Sequence, residues 1–167
     1  MPWCGTMSFD TAGRTMMGVT SEAMVDLIQS IPNKPIGFGA NCGTGAADLL
    51  RTVKVFEANN PKQALIAKCN AGIPKYVNGQ ILYDGTPDLM ADYACLARDI
   101  GARIIGGCCG TMPQHLQKMR SALQTRKPGT KPSLDQITKV LGPFSSKMDG
   151  TEPNQDAPKR VRRRRNV

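Results

Sequence analysis

The chain has 167 residues, 40% of them hydrophobic and 21% charged, which is enough apolar material for one domain of ordinary size. No apolar run approaches the ~20 residues of a membrane span and the opening residues do not read as a secretory signal, so its six irregularly spaced cysteines point to a reducing cytoplasm, where such residues more often serve metal binding or catalysis than a disulfide frame. Residues 126–167 hold eleven Lys and Arg against four Asp and Glu, +7 of the net +9, so the remaining body is close to neutral and the basic character belongs to the tail.

In chain order, residues 2–9 read as a short strand, followed by the polar loop Asp10-Thr11-Ala12-Gly13-Arg14-Thr15. Thr20 is placed to cap a helix through Ser30, with Met24, Leu27, Ile28 and Ile31 on one face. A second strand over 35–40 ends at Asn41-Cys42-Gly43-Thr44-Gly45. A helix over 46–58 follows, with Leu49, Leu50, Val53 and Phe56 as its apolar side. Residues 64–69 are an apolar run of the kind expected of a strand covered on both faces, ending at Asn70-Ala71-Gly72-Ile73-Pro74. A long polar loop is predicted through Asp84-Gly85. Thr86-Pro87 then opens a helix to about Ile100, where Gly101 stops it. Residues 102–105 form the fourth strand, and Thr111 is predicted to cap a helix ending near Leu123.

From Arg126 the pattern changes. Residues 126–132 read as a linker, and Ser133 with Gln136 forms a capping box for a short helix to Leu141. The remainder, ending in Lys159-Arg160-Val161-Arg162-Arg163-Arg164-Arg165, has too little apolar surface to offset the entropy of ordering and is expected to be a disordered basic tail. Such a run invites contact with nucleic acid, but it is also the ordinary composition of a solvated terminus, and nucleic acid is the weaker reading. The predicted division is therefore 1–125 and 126–167.

Four units of strand, Gly-rich turn and helix, without hairpins, predict an α/β fold with a parallel sheet. Either an open doubly wound sheet or part of a (β/α)8 TIM-type barrel satisfies that pattern. The dinucleotide fingerprint is lacking, since Gly37-Phe38-Gly39 has no third glycine, which weighs against the first.

The chemistry-bearing stretch is Ile104-Ile105-Gly106-Gly107-Cys108-Cys109-Gly110-Thr111. Neighbouring Cα atoms lie about 3.8 Å apart, less than the roughly 4.4–6.8 Å of an ordinary disulfide, so a structural disulfide between Cys108 and Cys109 is a poor explanation. In this architecture the functional rim is the C-terminal edge of the strands, and Cys42, just past the second strand, reaches the same rim as the pair. Three thiolates with no fourth protein ligand suit zinc with an open coordination position; free, half-buried thiols are the alternative. Cys4 falls at the wrong end of its strand, Cys69 and Cys95 read as packed residues, and His115 as a surface or helix-capping residue. A metal with three anionic sulfurs is a weak activator of water but holds an incoming thiol as a thiolate, so thiol alkylation matches better than hydrolysis.

The segments Gly39-Ala40-Asn41-Cys42-Gly43 and Gly106-Gly107-Cys108-Cys109-Gly110-Thr111-Met112-Pro113-Gln114-His115 resemble the zinc signature of the homocysteine S-methyltransferase family. That family includes betaine–homocysteine methyltransferase and the homocysteine domain of methionine synthase. Asp10-Thr11-Ala12-Gly13-Arg14-Thr15 and Asn70-Ala71-Gly72-Ile73-Pro74 resemble its intervening segments, and the likeness covers residues 3–124. The resemblance implies Cys42, Cys108 and Cys109 as zinc ligands, Asn41 beside the metal and homocysteine, and a small methyl donor, betaine or a methylated folate, giving methionine. It also implies that the chain supplies the last four units of a (β/α)8 barrel. On that reading the chain works weakly or not at all alone, pairs with itself or with a complementary half, or persists as a non-catalytic zinc-binding protein.

Overall fold

A computed structural model describes residues 1–10, 13–59 and 61–147. The element order is β1 (Cys4–Met7), α1 (Ser21–Ser30), β2 (Gly37–Cys42), α2 (Ala46–Ala58), β3 (Ala64–Cys69), β4 (Pro74–Val77), β5 (Gln80–Tyr83), α3 (Pro87–Ile100), β6 (Ala102–Gly107), α4 (Pro113–Thr125) and α5 (Leu134–Leu141). β1, β2, β3 and β6 form one parallel sheet in that spatial order. The strands thus follow one another in space as in sequence, without the reversal of order that defines a doubly wound sheet. The expected α/β class and its parallel sheet are observed.

The helix starts follow from their residues. Thr20 Oγ1 accepts from the Ala23 N–H at 3.1 Å, and Thr86 Oγ1 from the Leu89 N–H at 3.1 Å, with Pro87 in the first helical turn. Ser133 and Gln136 form the expected reciprocal box at the start of α5.

One face of the sheet packs on the helices. Phe38 and Ala40 of β2 and Leu65, Ala67 and Cys69 of β3 join Leu50, Val53 and Phe56 of α2 and Met90, Tyr93 and Ala97 of α3 in a single buried core. Phe56 is its pivot, with ring centroids 5.7 Å from Phe9 and 5.3 Å from Phe38. A register shift beside Leu65 and Ile66 inverts the alternation along β6, which is why Ala102 and Ile105 both reach the helix side. On the other face, the registers set Thr6, Gly39, Ile66 and Ile104 in one row, then Asn41, Lys68 and Gly106 in the next. Gly39 is obligatory in that row, because a Cβ there would stand 1.8 Å from the Ile66 carbonyl oxygen.

Four expectations need correction. Residues 74–83 are an antiparallel hairpin rather than a polar loop, with Tyr76 opposite Ile81 and Val77 opposite Gln80. Its turn is Asn78-Gly79, both at positive φ (50° and 82°), the backbone of a type I′ turn. β2 is shifted by two residues from the expected 35–40, so Cys42 is its last residue rather than a residue just past it. Met112, not Thr111, precedes α4 as its cap, and His115 makes the capping contact through Nδ1, which accepts the Met112 N–H at 2.8 Å.

The fourth correction concerns the expected disorder after Leu141. Residues 142–147 lie against α2: the Ser145 N–H donates to both Asp48 carboxylate oxygens (3.3 and 3.1 Å), Arg51 donates to the Ser146 carbonyl at 2.9 Å, and its guanidinium covers the Phe144 ring at 4.5 Å. Asp48 and Arg51 are themselves a buried ion pair at 3.0 Å. The short segment orders because those two charges would otherwise be buried with unused hydrogen-bonding capacity. The Arg-rich run at 159–165 lies outside the described residues.

α5 packs on α2 and α3, inserting Ile137, which is fully buried in the common core. Ile137→Ala is therefore expected to cost about 2–4 kcal/mol. It should lower the urea midpoint of a single transition seen alike by fluorescence and circular dichroism. A midpoint equal to wild type would show that α5 is not part of the cooperative unit.

Candidate metal centre

β2 and β6 flank β3, and the register aligns Cys42 with Cys69 and Cys69 with Gly107. Cys108 and Cys109 begin immediately beyond that row, so the three candidate thiols emerge at one rim. Their sulfurs all lie within 4.8 Å of one another. Cys42 Sγ is 3.7 Å from Cys109 Sγ, and Cys108 Sγ is 4.0 Å from Cys109 Sγ. A tetrahedral ion bound by sulfur at about 2.3 Å has sulfur–sulfur edges of about 3.8 Å. Two of the three edges are close to that value, so the three thiols could hold a metal ion, and no other group of three metal-ligating side chains occurs among the described residues.

The backbone is bent to achieve this. Cys42 has φ 59°, a left-handed conformation unusual for a residue with a side chain. It ends the strand pleat and turns the thiol toward the pair instead of along the sheet. The Cys108 N–H donates to the Cys69 carbonyl at 2.7 Å, and the Ala71 N–H donates to the Cys109 carbonyl at 2.9 Å. The turn bearing the pair is thereby an extension of the β3–β6 ladder.

Asn70 completes the frame. It is 2% exposed, its Nδ2 donates to the Gly43 carbonyl at 2.8 Å, and its Oδ1 accepts the Cys109 N–H at 3.1 Å. One side chain therefore ties the Cys42 loop to the Cys109 loop. In the sequence, the only sign of this role is an asparagine directly after the third strand, two residues before Gly72.

Asn41 lies beside the centre, one residue before Cys42, donating to Ser8 Oγ at 3.4 Å. His115 is not part of the thiol cluster. Its ring is buried, and since Nδ1 is the acceptor for Met112, Nε2 carries the hydrogen and donates to the Gly85 carbonyl at 2.9 Å. It is a cap, as anticipated, but an interior one. Cys4 is exposed, and Cys69 and Cys95 are buried. Tyr83, at the end of the hairpin, faces Cys109: desolvation first, then its hydrogen bond to Cys109 and the charge of the three thiols, hold its phenol above the ordinary range.

The thiols are unequal. Burial, and then hydrogen bonds with Cys109 and Cys108, push Cys42 up to about 11. For Cys108 burial also opposes ionisation, but hydrogen bonds from Cys42, the Cys109 N–H and Asn41 outweigh it and bring the thiol below its ordinary value. Cys108 is thus the thiol whose anion its neighbours favour over that of Cys42. Burial drives Cys69 far upward and leaves it unreactive.

Because the thiolate is the nucleophile, in metal-free protein below the Cys42 value of about 11 iodoacetamide should modify Cys108 ahead of Cys42, as read by peptide mass mapping across a pH series. Equal rates at the two sites would contradict the hydrogen-bond pattern. Asn70→Ala, which strips partners from the Gly43 carbonyl and the Cys109 N–H, is expected to cost about 1–3 kcal/mol in urea unfolding. An unchanged midpoint would remove Asn70 from the frame.

Comparison with known families follows the same residues. The homocysteine S-methyltransferase family model matches residues 1–123, a span that holds all three thiols, Asn41 and Asn70. The chain belongs to the homocysteine S-methyltransferase family.

Proposed function

We propose that the chain carries the zinc centre of a homocysteine S-methyltransferase, with Cys42, Cys108 and Cys109 as the protein ligands. The observation that carries this reading is the three-sulfur cluster, whose edges of 3.7 and 4.0 Å match those of a tetrahedral thiolate site. Zinc supplies, at such a site, the means to hold a substrate thiol as thiolate at neutral pH. A free thiol of pKa about 8.5 is only a few per cent ionised there.

The chain's own residues account for the rest of the arrangement. Asn70 fixes the distance between the two cysteine-bearing loops, and the left-handed Cys42 keeps its thiol out of the sheet. Asn41, which donates to Ser8 Oγ beside the thiols, would contact the bound homocysteine. The substrate sulfur then attacks the methyl carbon of betaine or a methylated folate. A carbon–sulfur bond forms, the bond from methyl to donor breaks with its electron pair leaving on the donor, and the product is methionine.

Residues 1–125 form, on this proposal, four βα units of a (β/α)8 barrel, with 126–167 a linker, a short helix and a basic tail. Support comes from the sequential strand order and from the rows of side chains on the face away from the helices, which is how barrel interiors are layered. That face and the free edges of β1 and β6 await a complementary half-barrel or a second copy. Methyl transfer by this chain alone is accordingly low or nil. The centre works in the cytoplasm, whose reducing poise keeps the thiols available.

The test is metal analysis combined with ligand addition. Wild type should hold one zinc per chain, Cys108→Ser should hold far less, and homocysteine should raise the sulfur count seen by zinc X-ray absorption. Equal zinc in Cys108→Ser would sink the ligand assignment. Zinc that does not respond to homocysteine would favour instead a non-catalytic zinc-binding or interaction protein derived from the family.

A further inference from the structure

Residues 142–147 lie beyond the span 1–123 that the family model matches, yet they reach the loop that carries Cys42. That loop, Cys42-Gly43-Thr44-Gly45, joins β2 to α2. Cys42 and Gly43 both have positive φ, 59° and 76°. For a residue with a side chain such a backbone persists only where its surroundings fix it from several sides. Asn70 supplies one hold, on the Gly43 carbonyl. The other is on Thr44, whose Oγ1 donates to Asp48 Oδ2 at 3.1 Å and accepts from Ser145 Oγ at 3.0 Å.

Asp48 is where the loop and the C-terminal segment meet. It sits in the first turn of α2, where the helix dipole favours a carboxylate, and is only 6% exposed. Its two oxygens take the Thr44 hydroxyl, the Ser145 N–H and Arg51 Nη2. Arg51 in turn donates to the Ser146 carbonyl at 2.9 Å and covers the Phe144 ring. The segment is thus gripped by both members of the ion pair, and one member also grips Thr44. It leaves from a fixed point, because α5 is anchored by the fully buried Ile137 and ends at Gly142. The hydrogen bonds to Thr44 are not needed to pair Asp48 with Arg51. What they add is a link from that pair to the residue two places after Cys42.

We infer that residues 142–147 are a strap that positions the Cys42 thiol, with Asp48 and the Thr44 hydroxyl as the positioning groups between the strap and the metal ligand. This rests on the proposed zinc centre. Docking of the strap and binding of the ion favour the same conformation of residues 42–44, so the two are coupled. The coupling is reciprocal: whatever the strap adds to zinc affinity, zinc adds to the docking of the strap. Since neither Thr44 nor Asp48 is a ligand, loosening them changes the freedom of the loop and leaves the ligand set intact. The size of the effect is that of one net hydrogen bond, about two- to tenfold in affinity.

Thr44→Val removes the hydroxyl and keeps the branched shape, while Thr44→Ser restores the hydroxyl. Zinc affinity is measured by competition with a chromophoric chelator, and hydrogen exchange of the Ser145 amide is followed by NMR with and without zinc. Thr44→Val is expected to bind zinc about two- to tenfold more weakly with unchanged circular dichroism, and Thr44→Ser to stay near wild type. In wild type, zinc should slow exchange at Ser145 by a similar factor. Ser133→Ala uncaps α5 at the end away from the strap; it should lower the urea midpoint and leave zinc affinity unchanged. A Thr44→Val protein with wild-type affinity, or Ser145 exchange indifferent to zinc in a chain that binds it, overturns the role of the strap while leaving the zinc centre standing. An equal loss of affinity in Ser133→Ala does the same. A wild-type chain that binds no stoichiometric zinc overturns both.

Discussion

Everything at the rim depends on the register of β3 with its two neighbours. β3 contributes no metal ligand, yet Cys42 and Gly107 both align with its last residue, Cys69. A slip of one residue on either side would send a thiol to the opposite face, since side chains alternate along a strand. The register is in turn fixed from the helix side, where Leu65, Ala67 and Cys69 are buried against α2 and α3. Tyr93, fully buried, ties off the end of the strand by accepting the Cys69 N–H at 3.3 Å. The core therefore sets the geometry of the three thiols through a strand that contributes none of them.

Past the end of β3 the same strand becomes the connector. Cys69 accepts from the Cys108 N–H, Asn70 bridges Gly43 and Cys109, and Ala71 is bonded to Cys109 on one side and Gly85 on the other. Three successive residues thus join three loops that are far apart in sequence. Such a frame keeps the thiols near their ligating distances before any ion arrives, which lowers the entropy lost on binding. Thr111, whose side chain occupies the space where Gly107 lacks one, closes the turn from within.

Much of this was legible from residue types alone. The limits of β3, the Thr86-Pro87 start of α3 and the Ser133–Gln136 box of α5 are local signals, set by apolar runs and by side chains that satisfy nearby N–H groups. That Cys42 and the Cys108–Cys109 pair meet at one rim followed from the repeat of strand, turn and helix. What escaped depends on partners distant in sequence or on weak local contrast. The Asn78-Gly79 turn was present, but Lys75 and Gln80 dilute the alternation of its flanks, and the whole hairpin is exposed apart from Tyr83. Asn70 takes its meaning from Gly43 and Cys109, which no local pattern connects to it. The later end of β2 comes from pairing with β3 as far as Cys69, a tertiary effect that overrides the turn-forming Asn41 and Gly43.

The unequal thiols give a physical reason for placing two of them side by side. Three anions within a few ångströms would repel strongly in the absence of metal. Here the electrostatic problem is met by sharing: the surroundings favour the protonated form of Cys42 and the anion of Cys108. The adjacent pair makes this possible because the Cys109 N–H and thiol both lie within reach of Cys108. A metal ion entering such a cluster displaces protons from thiols already in position, so its affinity rises with pH wherever those protons are still bound. The left-handed backbone at Cys42 and the buried polar frame behind it hold the sulfurs together.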